Sequence, residues 1–167
     1  MNVCNTPLDG VLKIVPEKPA VDHRGIYIET YNKRDYEQLG IDFVQDDVSV
    51  SSKNVLRGIH GDSKTYKLIS CPYGKIYLVV VNYDKESPEF RKWTSFTLGT
   101  EDYFQILVPP KFGNGHLILT DYAVFSYKQS EYYDRSSQFT IRYDSPELGV
   151  YWPVSTPVLS YRDRTEI

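Results

Sequence analysis

Short runs of alternating apolar and polar residues make up most of the chain. They are rich in Val, Ile, Thr and Tyr, and segments containing Gly, Pro and Asn separate them at nearly regular intervals. This pattern is typical of β-strands that bury one face. The predicted strands cover residues 11–16, 25–31, 43–51, 55–60, 66–71, 75–81, 92–98, 104–108, 115–120, 123–129 and 138–143.

A helical pattern is confined to one short segment. Asn32 is a good N-cap for the sequence KRDYEQL, and Gly40 can end that segment. A second, weaker helical turn is predicted near residues 145–148. Many short strands with one or two short helices predict an all-β sandwich or barrel, such as a jelly roll. Since no linker or repeat divides the sequence, we expect a single domain over residues 1–167.

The composition of the chain argues against several kinds of binding partner. A net charge of −3 without clustered Lys and Arg argues against nucleic acid, because phosphate binding needs basic patches. We find neither a secretory signal nor an apolar stretch of ~18 residues, and we expect a cytoplasmic protein without membrane association. Cys4 and Cys71 form no C-x-x-C pair, so we expect ordinary thiols.

The mouth of a β-barrel can hold a small ligand, so polar residues that face inward are candidates for a site. Strict alternation places three titratable side chains on faces that are otherwise apolar or small. The faces are Leu56, Gly58 and His60; Lys67, Ile69 and Cys71; and Ala123, Phe125, Tyr127 and Gln129. Each titratable group is either a satisfied core residue or part of a site.

His60 is the candidate base, because the pKa of an imidazole lies near neutrality. A carboxylate usually orients such a base, and the sequence leaves Asp163, Asp62 and Asp46 as alternatives. His60, Asp62 and His116 could also form a two-histidine, one-carboxylate iron site. Nothing in their spacing demands a metal, and we expect none.

Other polar residues complete a proton-transfer site. Tyr127 can return a proton to a carbanion, and Lys67 can stabilise an enolate oxygen. Arg24 and Arg57 each precede a glycine, and guanidinium groups suit a diphosphate. The alternative is that both arginines form ordinary surface ion pairs, although Arg57 lies within an apolar strand.

Long segments of the sequence form a specific signature. They read DHRGIYIETYN (22–32), GIDFVQDDVSVSSKNVLRGIH (40–60), YKLISCPYGKIYLVVVNYDKESPEFRKWTSFTL (66–98), LVPPKFGNGHLIL (107–119), YKQSEYYDRSSQF (127–139) and DSPELGVYWPVSTPVLSYRD (144–163). In this order they resemble the dTDP-4-dehydrorhamnose 3,5-epimerase family of bacterial nucleotide-sugar epimerases. The resemblance implies a cupin-like, double-stranded β-helix jelly roll, no cofactor, and a homodimer with exchanged N-terminal strands.

The resemblance also implies residue roles in the epimerisation of a nucleotide-diphosphate 4-keto-6-deoxy sugar. His60 matches the base and Asp163 its acidic partner, while Lys67 matches the enolate-stabilising lysine and Tyr127 the tyrosine that protonates the opposite face. The positions that match substrate- and nucleotide-binding residues, some of them reaching in from the neighbouring subunit, are Arg24, Tyr27, Glu29, Gln45, Arg57, Asn114, His116 and Tyr132.

Several positions depart from the family pattern. The usual FAHGF reads FGNGH, so that Asn114 replaces a histidine and His116 an aromatic residue. Asp47 stands where Asn is common, Tyr27 where Phe is common, and the loop GDSKTY (61–66) is short. These departures favour a GDP-linked 4-keto-6-deoxy-heptose for bacterial capsule synthesis, and the presence of both a base and an opposing acid favours inversion at C3 and C5.

Four alternative functions remain open at this point. They are a dTDP-4-keto-6-deoxyglucose 3,5-epimerase for rhamnose synthesis, an epimerase that inverts C3 alone, a 3,4-ketoisomerase and a sugar-binding jelly roll without activity.

Overall fold

The structure is a computed structural model that describes residues 1–17 and 19–164. Its strands are β1 (Asn2–Asn5), β2 (Leu12–Val15), β3 (Ala20–Asp22), β4 (Gly25–Tyr27), β5 (Gln45–Ser52), β6 (Leu56–Gly61), β7 (Lys67–Tyr73), β8 (Lys75–Asn82), β9 (Trp93–Gly99), β10 (Gln105–Val108), β11 (Phe112–Ile118), β12 (Tyr122–Gln129) and β13 (Phe139–Thr140). Helix α1 (Lys33–Tyr36) continues into a 3₁₀ turn (Glu37–Leu39), and two further 3₁₀ turns cover Arg135–Ser137 and Arg162–Arg164.

The strands form two antiparallel sheets and a separate ribbon. The six-stranded sheet has the order β1-β2-β10-β7-β12-β5, and the five-stranded sheet has the order β13-β6-β11-β8-β9. Strands β3 and β4 pair only with each other. The prediction of an all-β jelly roll with few short helices is confirmed. In the described part of the chain, no helix has the length and apolarity needed to cross a membrane.

The main hydrophobic core fills the space between the two sheets. Ile69 and Phe125 of the six-stranded sheet share a cluster with Ile76 and Leu78 of the five-stranded sheet. The other face of β8 is covered too, because Val79 belongs to a second cluster that the C-terminal segment completes. Burial on both faces explains why β8 reads as a continuous apolar run rather than as an alternating strand.

The predicted helix is confirmed, together with the signals that limit it. The side chain of Asn32 accepts a hydrogen bond from the backbone N–H of Arg34 and so caps α1. Gly40, with φ 66°, ends the 3₁₀ turn that follows and donates its N–H to the carbonyl of Glu37.

The strand boundaries differ from the prediction near the N-terminus and before β11. Strands β1 and β3 were not predicted, and β4 ends at Tyr27 rather than continuing to residue 31. Strand β11 begins at Phe112, whereas the two prolines and the glycine of PPKFGN predicted a turn as far as residue 114. The turn is completed by Lys111, which adopts φ 68°.

Replacing Ile69 by Ala should destabilise the fold strongly. Ile69 is fully buried between the sheets, so the substitution leaves a cavity that costs about 2–5 kcal/mol in free energy of unfolding. The exposed strand variant Thr97→Ala is the control and should change this free energy by less than about 0.5 kcal/mol. Urea denaturation of both variants measures the difference, and equal losses would contradict the assignment of the core.

Candidate active site

A cavity of about 530 Å³ opens between the sheets, at the end where β5, β6, β7, β11 and β12 meet. Eight of the residues selected from the sequence line it. They are His60, Lys67, Tyr127, Asp163, Gln45, Arg57, Asn114 and His116. The strands and the C-terminal segment therefore bring together residues that lie more than a hundred positions apart in the sequence.

Strand β5 supplies one wall of the cavity. Its pattern is the reverse of the usual one, because polar side chains face the interior and apolar side chains are exposed. Gln45, Asp47 and Ser49 line the cavity and are half-buried, whereas the alternate residues Val48 and Val50 are exposed. A strand at the edge of a sheet usually buries its apolar face. The inversion indicates that the interior at this end holds a polar ligand rather than a hydrophobic core.

The central pair of the site is His60 and Asp163. The Nε2 atom of His60 lies 2.7 Å from Oδ1 of the buried Asp163, whose Oδ2 accepts a hydrogen bond of 2.7 Å from Ser160. Because a carboxylate only accepts, Nε2 carries the proton and Nδ1 is the basic nitrogen of the ring. Burial lowers the pKa of His60 and outweighs the opposing effect of the hydrogen bond that His60 donates to Asp163, so the imidazole is neutral at pH 7.

The structure also resolves the choice among the three carboxylates. Asp62 accepts hydrogen bonds from the backbone N–H groups of Lys64 and Thr65, and Asp46 forms an ion pair with Lys128. Only Asp163 contacts His60. In the described residues no three His, Cys, Asp or Glu side chains form a group suited to a metal ion.

The amino group of Lys67 is buried in the same cavity. Burial lowers the pKa of Lys67 and the charge of Arg162 lowers it further, while Asp62 acts in the opposite direction. A desolvated amine of this kind interacts strongly with a nearby oxygen, because the local dielectric constant is low.

Tyr127 lies across the β5–β12 ladder from Asp47. Burial, followed by the negative charge of Asp47, raises the pKa of Tyr127 to about 12, so the phenol keeps its proton at neutral pH. The carboxylate is itself held in place, since its Oδ2 accepts hydrogen bonds of 2.7 Å from both Gln45 and Gln129. The sequence marked Asp47 only as a departure from the family pattern.

An irregularity in the β6–β11 ladder places Arg57 in the cavity beside His60. Asn114 pairs with His60, but His116 pairs with Arg57, so three steps along β6 match two steps along β11. Such a bulge breaks alternation. The prediction that Leu56 shares the face of His60 was therefore wrong: Leu56 packs in the second hydrophobic cluster.

The ring of His116 is stacked on Phe125. The ring centroids are 3.8 Å apart and the planes differ by 5°. Burial, followed by the positive charge of Arg57, lowers the pKa of His116 to about 3, and the ring is neutral. His116 and Asn114 both line the cavity.

Four of the selected residues do not reach the cavity of their own chain. Arg24, Tyr27 and Glu29 are exposed on or just after the β3–β4 ribbon, and Arg24 forms an ion pair with Asp22. Tyr132 is 76% exposed and does not line the cavity. The adjacent Tyr133 lines it instead and donates its backbone N–H to Gln45, since neighbouring side chains in an extended segment point in opposite directions.

The structure adds polar residues that sequence analysis missed. Arg135, Gln138 and Arg162 all line the cavity. The guanidinium of Arg162 donates a hydrogen bond to Thr140, and Gln138 donates one to Asp62. These residues lie in or beside irregular segments, where alternation gives no signal; only the position of Arg162 next to Asp163 could have drawn attention to it.

Comparison with known proteins identifies the family. The sequence profile described as dTDP-4-dehydrorhamnose 3,5-epimerase matches residues 5–167. The chain is 39% identical over 170 residues to the dTDP-4-dehydrorhamnose 3,5-epimerase of Salmonella typhimurium, in an alignment covering 98% of this chain and 92% of that enzyme.

Solved structures agree with this result. A dTDP-6-deoxy-D-glucose-3,5-epimerase from Legionella pneumophila, in complex with dTDP-4-keto-L-rhamnose, is 37% identical with a TM-score of 0.91, covering 97% of this chain and 89% of that one. A 3′-monoepimerase from Streptomyces bikiniensis, in complex with dTDP-quinovose, is 30% identical with a TM-score of 0.88, covering 95% and 83%. The cupin-like jelly roll is thereby confirmed, and the chain belongs to the dTDP-4-dehydrorhamnose 3,5-epimerase family.

Proposed function

We propose that the chain inverts C3 and C5 of a dTDP-linked 4-keto-6-deoxyglucose by proton abstraction and reprotonation. The observation that carries this proposal is that one cavity is lined by a neutral histidine paired with a buried carboxylate, a buried lysine and a protonated tyrosine. An epimerase acting on a sugar with its own ketone needs these groups and no others, because the carbonyl accepts the electrons of the broken C–H bond.

The reaction proceeds through an enolate. His60 removes the proton next to the C4 ketone, and the electron pair of the C–H bond forms a carbon–carbon double bond while the carbonyl electrons move to oxygen. Lys67 stabilises this oxygen. When the carbonyl re-forms, the carbon takes a proton from Tyr127 on the opposite face, and the centre is inverted. Proton exchange with solvent then restores the imidazole and the phenol.

Cationic side chains that line the cavity suit the diphosphate of the substrate. Arg57, Arg135 and Arg162 line the cavity together with Lys67, and Asp163 and Asp47 are the acidic residues that accompany them. Guanidinium groups match phosphate oxygens by paired hydrogen bonds. The arginines would therefore orient the nucleotide so that the sugar lies between His60 and Tyr127.

A GDP-linked 4-keto-6-deoxy-heptose is the second candidate substrate, but the comparisons do not support it over dTDP. The relatives described above are named for dTDP sugars, so the dTDP alternative fits better than the heptose and its role in capsule synthesis. The feature that keeps the heptose as a candidate is the polar wall formed by Asn114 and His116. Either sugar nucleotide is consistent with the expected cytoplasmic location.

A homodimer is part of the proposal, because the β3–β4 ribbon carries predicted binding residues that do not line the cavity of their own chain described above. Val21, Ile26 and Tyr27 of this ribbon are 69%, 55% and 73% exposed. Strand β5 is also an uncovered edge, with Val48 and Val50 each 64% exposed. A second copy could cover both surfaces and receive Arg24 in its cavity.

Substitution of the two proposed proton carriers should have different effects in D₂O. His60→Asn should slow deuterium incorporation at C3 and C5 of the dTDP sugar by about 10²-fold or more, because the base is lost. Tyr127→Phe should retain exchange at a carbon served by His60 but lose inversion there. Mass spectrometry and NMR measure both effects, and a parallel incubation with the GDP-linked heptose tests the second candidate.

Tyr122→Phe is the matched control for this experiment. Tyr122 is exposed at the far end of β12, so both exchange and inversion should remain at the wild-type level. Exchange by His60→Asn at the wild-type rate would overturn the proposed base. Exchange at C3 alone would show a single inversion, and a moved ketone would identify a ketoisomerase.

The pH dependence should report the His60–Asp163 pair. Because the neutral imidazole is the active form, kcat/KM should decrease when the pH drops below the pKa of His60. This pKa is lower than the ordinary value of about 6.5. Asp163 raises the pKa of His60, so Asp163→Asn should move this acid limb to still lower pH and reduce the plateau. Asp46→Asn, on the outer face, should leave the limb unchanged; a shift to higher pH in Asp163→Asn would contradict the pairing.

Mixing two inactive variants tests the exchanged ribbon. If Arg24 acts in the partner's cavity, a mixed dimer of Arg24→Ala and His60→Asn contains one native site, and equal mixing restores about a quarter of the wild-type activity. If Arg24 acts within its own chain, no mixed dimer has a native site and no activity returns. Sedimentation at equilibrium provides the second readout, and a monomer in solution would also overturn the proposal.

A further inference from the structure

Three buried polar atoms in the cavity lack hydrogen-bond partners. They are Oδ1 of Asn114, Nε2 of His116 and Oγ of Ser49, and within the described residues none has a donor or acceptor in reach. All three residues line the cavity, and His116 is only 3% exposed. Leaving such an atom unsatisfied costs about 1–3 kcal/mol in stability. A ligand that supplies the missing hydrogen bonds would recover this energy.

The three atoms belong to one region of the wall. Asn114 and His116 lie two positions apart on β11 and both face the cavity. Stacking on Phe125 fixes the plane of the His116 ring, and Phe125 is the direct cross-strand partner of Ser49. Phe125 therefore connects the two sides of the polar region and restricts the direction in which Nε2 points.

The charge state of this region selects the kind of ligand group. Asn114 and Ser49 are uncharged, and His116 is neutral because its pKa is about 3. The nearby Arg57, whose charge contributes to that low pKa, disfavours a cation. An anion would gain little from the carbonyl oxygen of Asn114. A neutral hydroxyl, which both donates and accepts, fits best.

We propose that Asn114 and His116 form a subsite for one hydroxyl group of the substrate's sugar. The hydroxyl donates its hydrogen to Oδ1 of Asn114 and accepts a hydrogen bond from Nε2–H of His116, and Ser49 is the neighbouring polar atom. The inference rests on the proposed function for the presence of a sugar in the cavity, and it adds a specificity element to it. The family's FAHGF segment has an aromatic ring at the position of His116.

Variants that keep the shape of the side chains distinguish the effect of the polar atoms on binding from the effect of side-chain packing. His116→Phe keeps a ring that can stack on Phe125, and Asn114→Leu keeps a side chain of similar size. Both should fold with a melting temperature near that of the wild type, since they remove unsatisfied atoms. His116→Gln restores a polar amide and provides the rescue variant.

The experiment compares sugar nucleotides that each lack one hydroxyl. Dissociation constants are measured by calorimetry for the parent 4-keto sugar nucleotide and for analogues deoxygenated at one position each, in both the dTDP- and the GDP-linked series. In the wild type, removal of the recognised hydroxyl should weaken binding at least tenfold. In the double variant Asn114→Leu/His116→Phe the parent should bind at least tenfold more weakly, and the same deoxygenation should cost nothing further. His116→Gln should recover part of the discrimination.

The outcomes distinguish this inference from the proposed function. If every analogue binds the wild type as tightly as the parent, or if the loss persists in the double variant, the three atoms are solvated by ordered water only and the subsite is overturned. Discrimination in binding without deuterium exchange would support the subsite and overturn the epimerase. Failure of every sugar nucleotide to bind would overturn both.

Discussion

The hydrogen bond between His60 and Asp163 is the interaction on which the site depends. It joins β6, inside the five-stranded sheet, to a C-terminal segment that lies outside both sheets. A buried carboxylate is costly unless it is paired, and Asp163 is satisfied from three directions, by His60, by Ser160 and by the backbone N–H of Gly58. The same bond fixes the imidazole tautomer and secures the segment that carries Arg162 beside the cavity.

The residues that stabilise the barrel and the residues that line the cavity occupy different positions along the strands. The centre of the molecule is a dry core around Ile69 and Leu78, whereas the open end replaces apolar residues with the inward polar face of β5. One strand can serve both purposes, as β12 does by placing Ala123 in the core and Tyr127 in the cavity. The fold tolerates a polar open end because the dry core around Ile69 and Leu78 buries enough apolar surface to stabilise a jelly roll of this size.

Sequence patterning predicted what depends on local periodicity. Apart from β1, the strands of both sheets were predicted, and the inward positions of Lys67 and Tyr127 followed from alternation. Alternation failed for Arg57, because a bulge in the ladder adds a residue that no local signal marks. It also could not choose Asp163 over other carboxylates, since that contact joins residues 103 positions apart.

Irregular segments were the second limit on prediction. Tyr133 and Arg135 line the cavity from a stretch without a strand period, and of the ribbon that carries Arg24 only β4 was predicted, as part of a longer strand over residues 25–31. Neither error changed the chemistry assigned to the cavity, because its reactive side chains lie on regular strands, with Asp163 as the exception.

The late position of Asp163 has a consequence for biosynthesis. All thirteen strands of the described residues end by Thr140, so the segments that form both sheets leave the ribosome while the carboxylate is still in the exit tunnel. Until it emerges, the imidazole of His60 lacks the group that orients it. A product that ends between Leu159 and Asp163 would keep the residues of both hydrophobic clusters described above but would lack the carboxylate that orients His60.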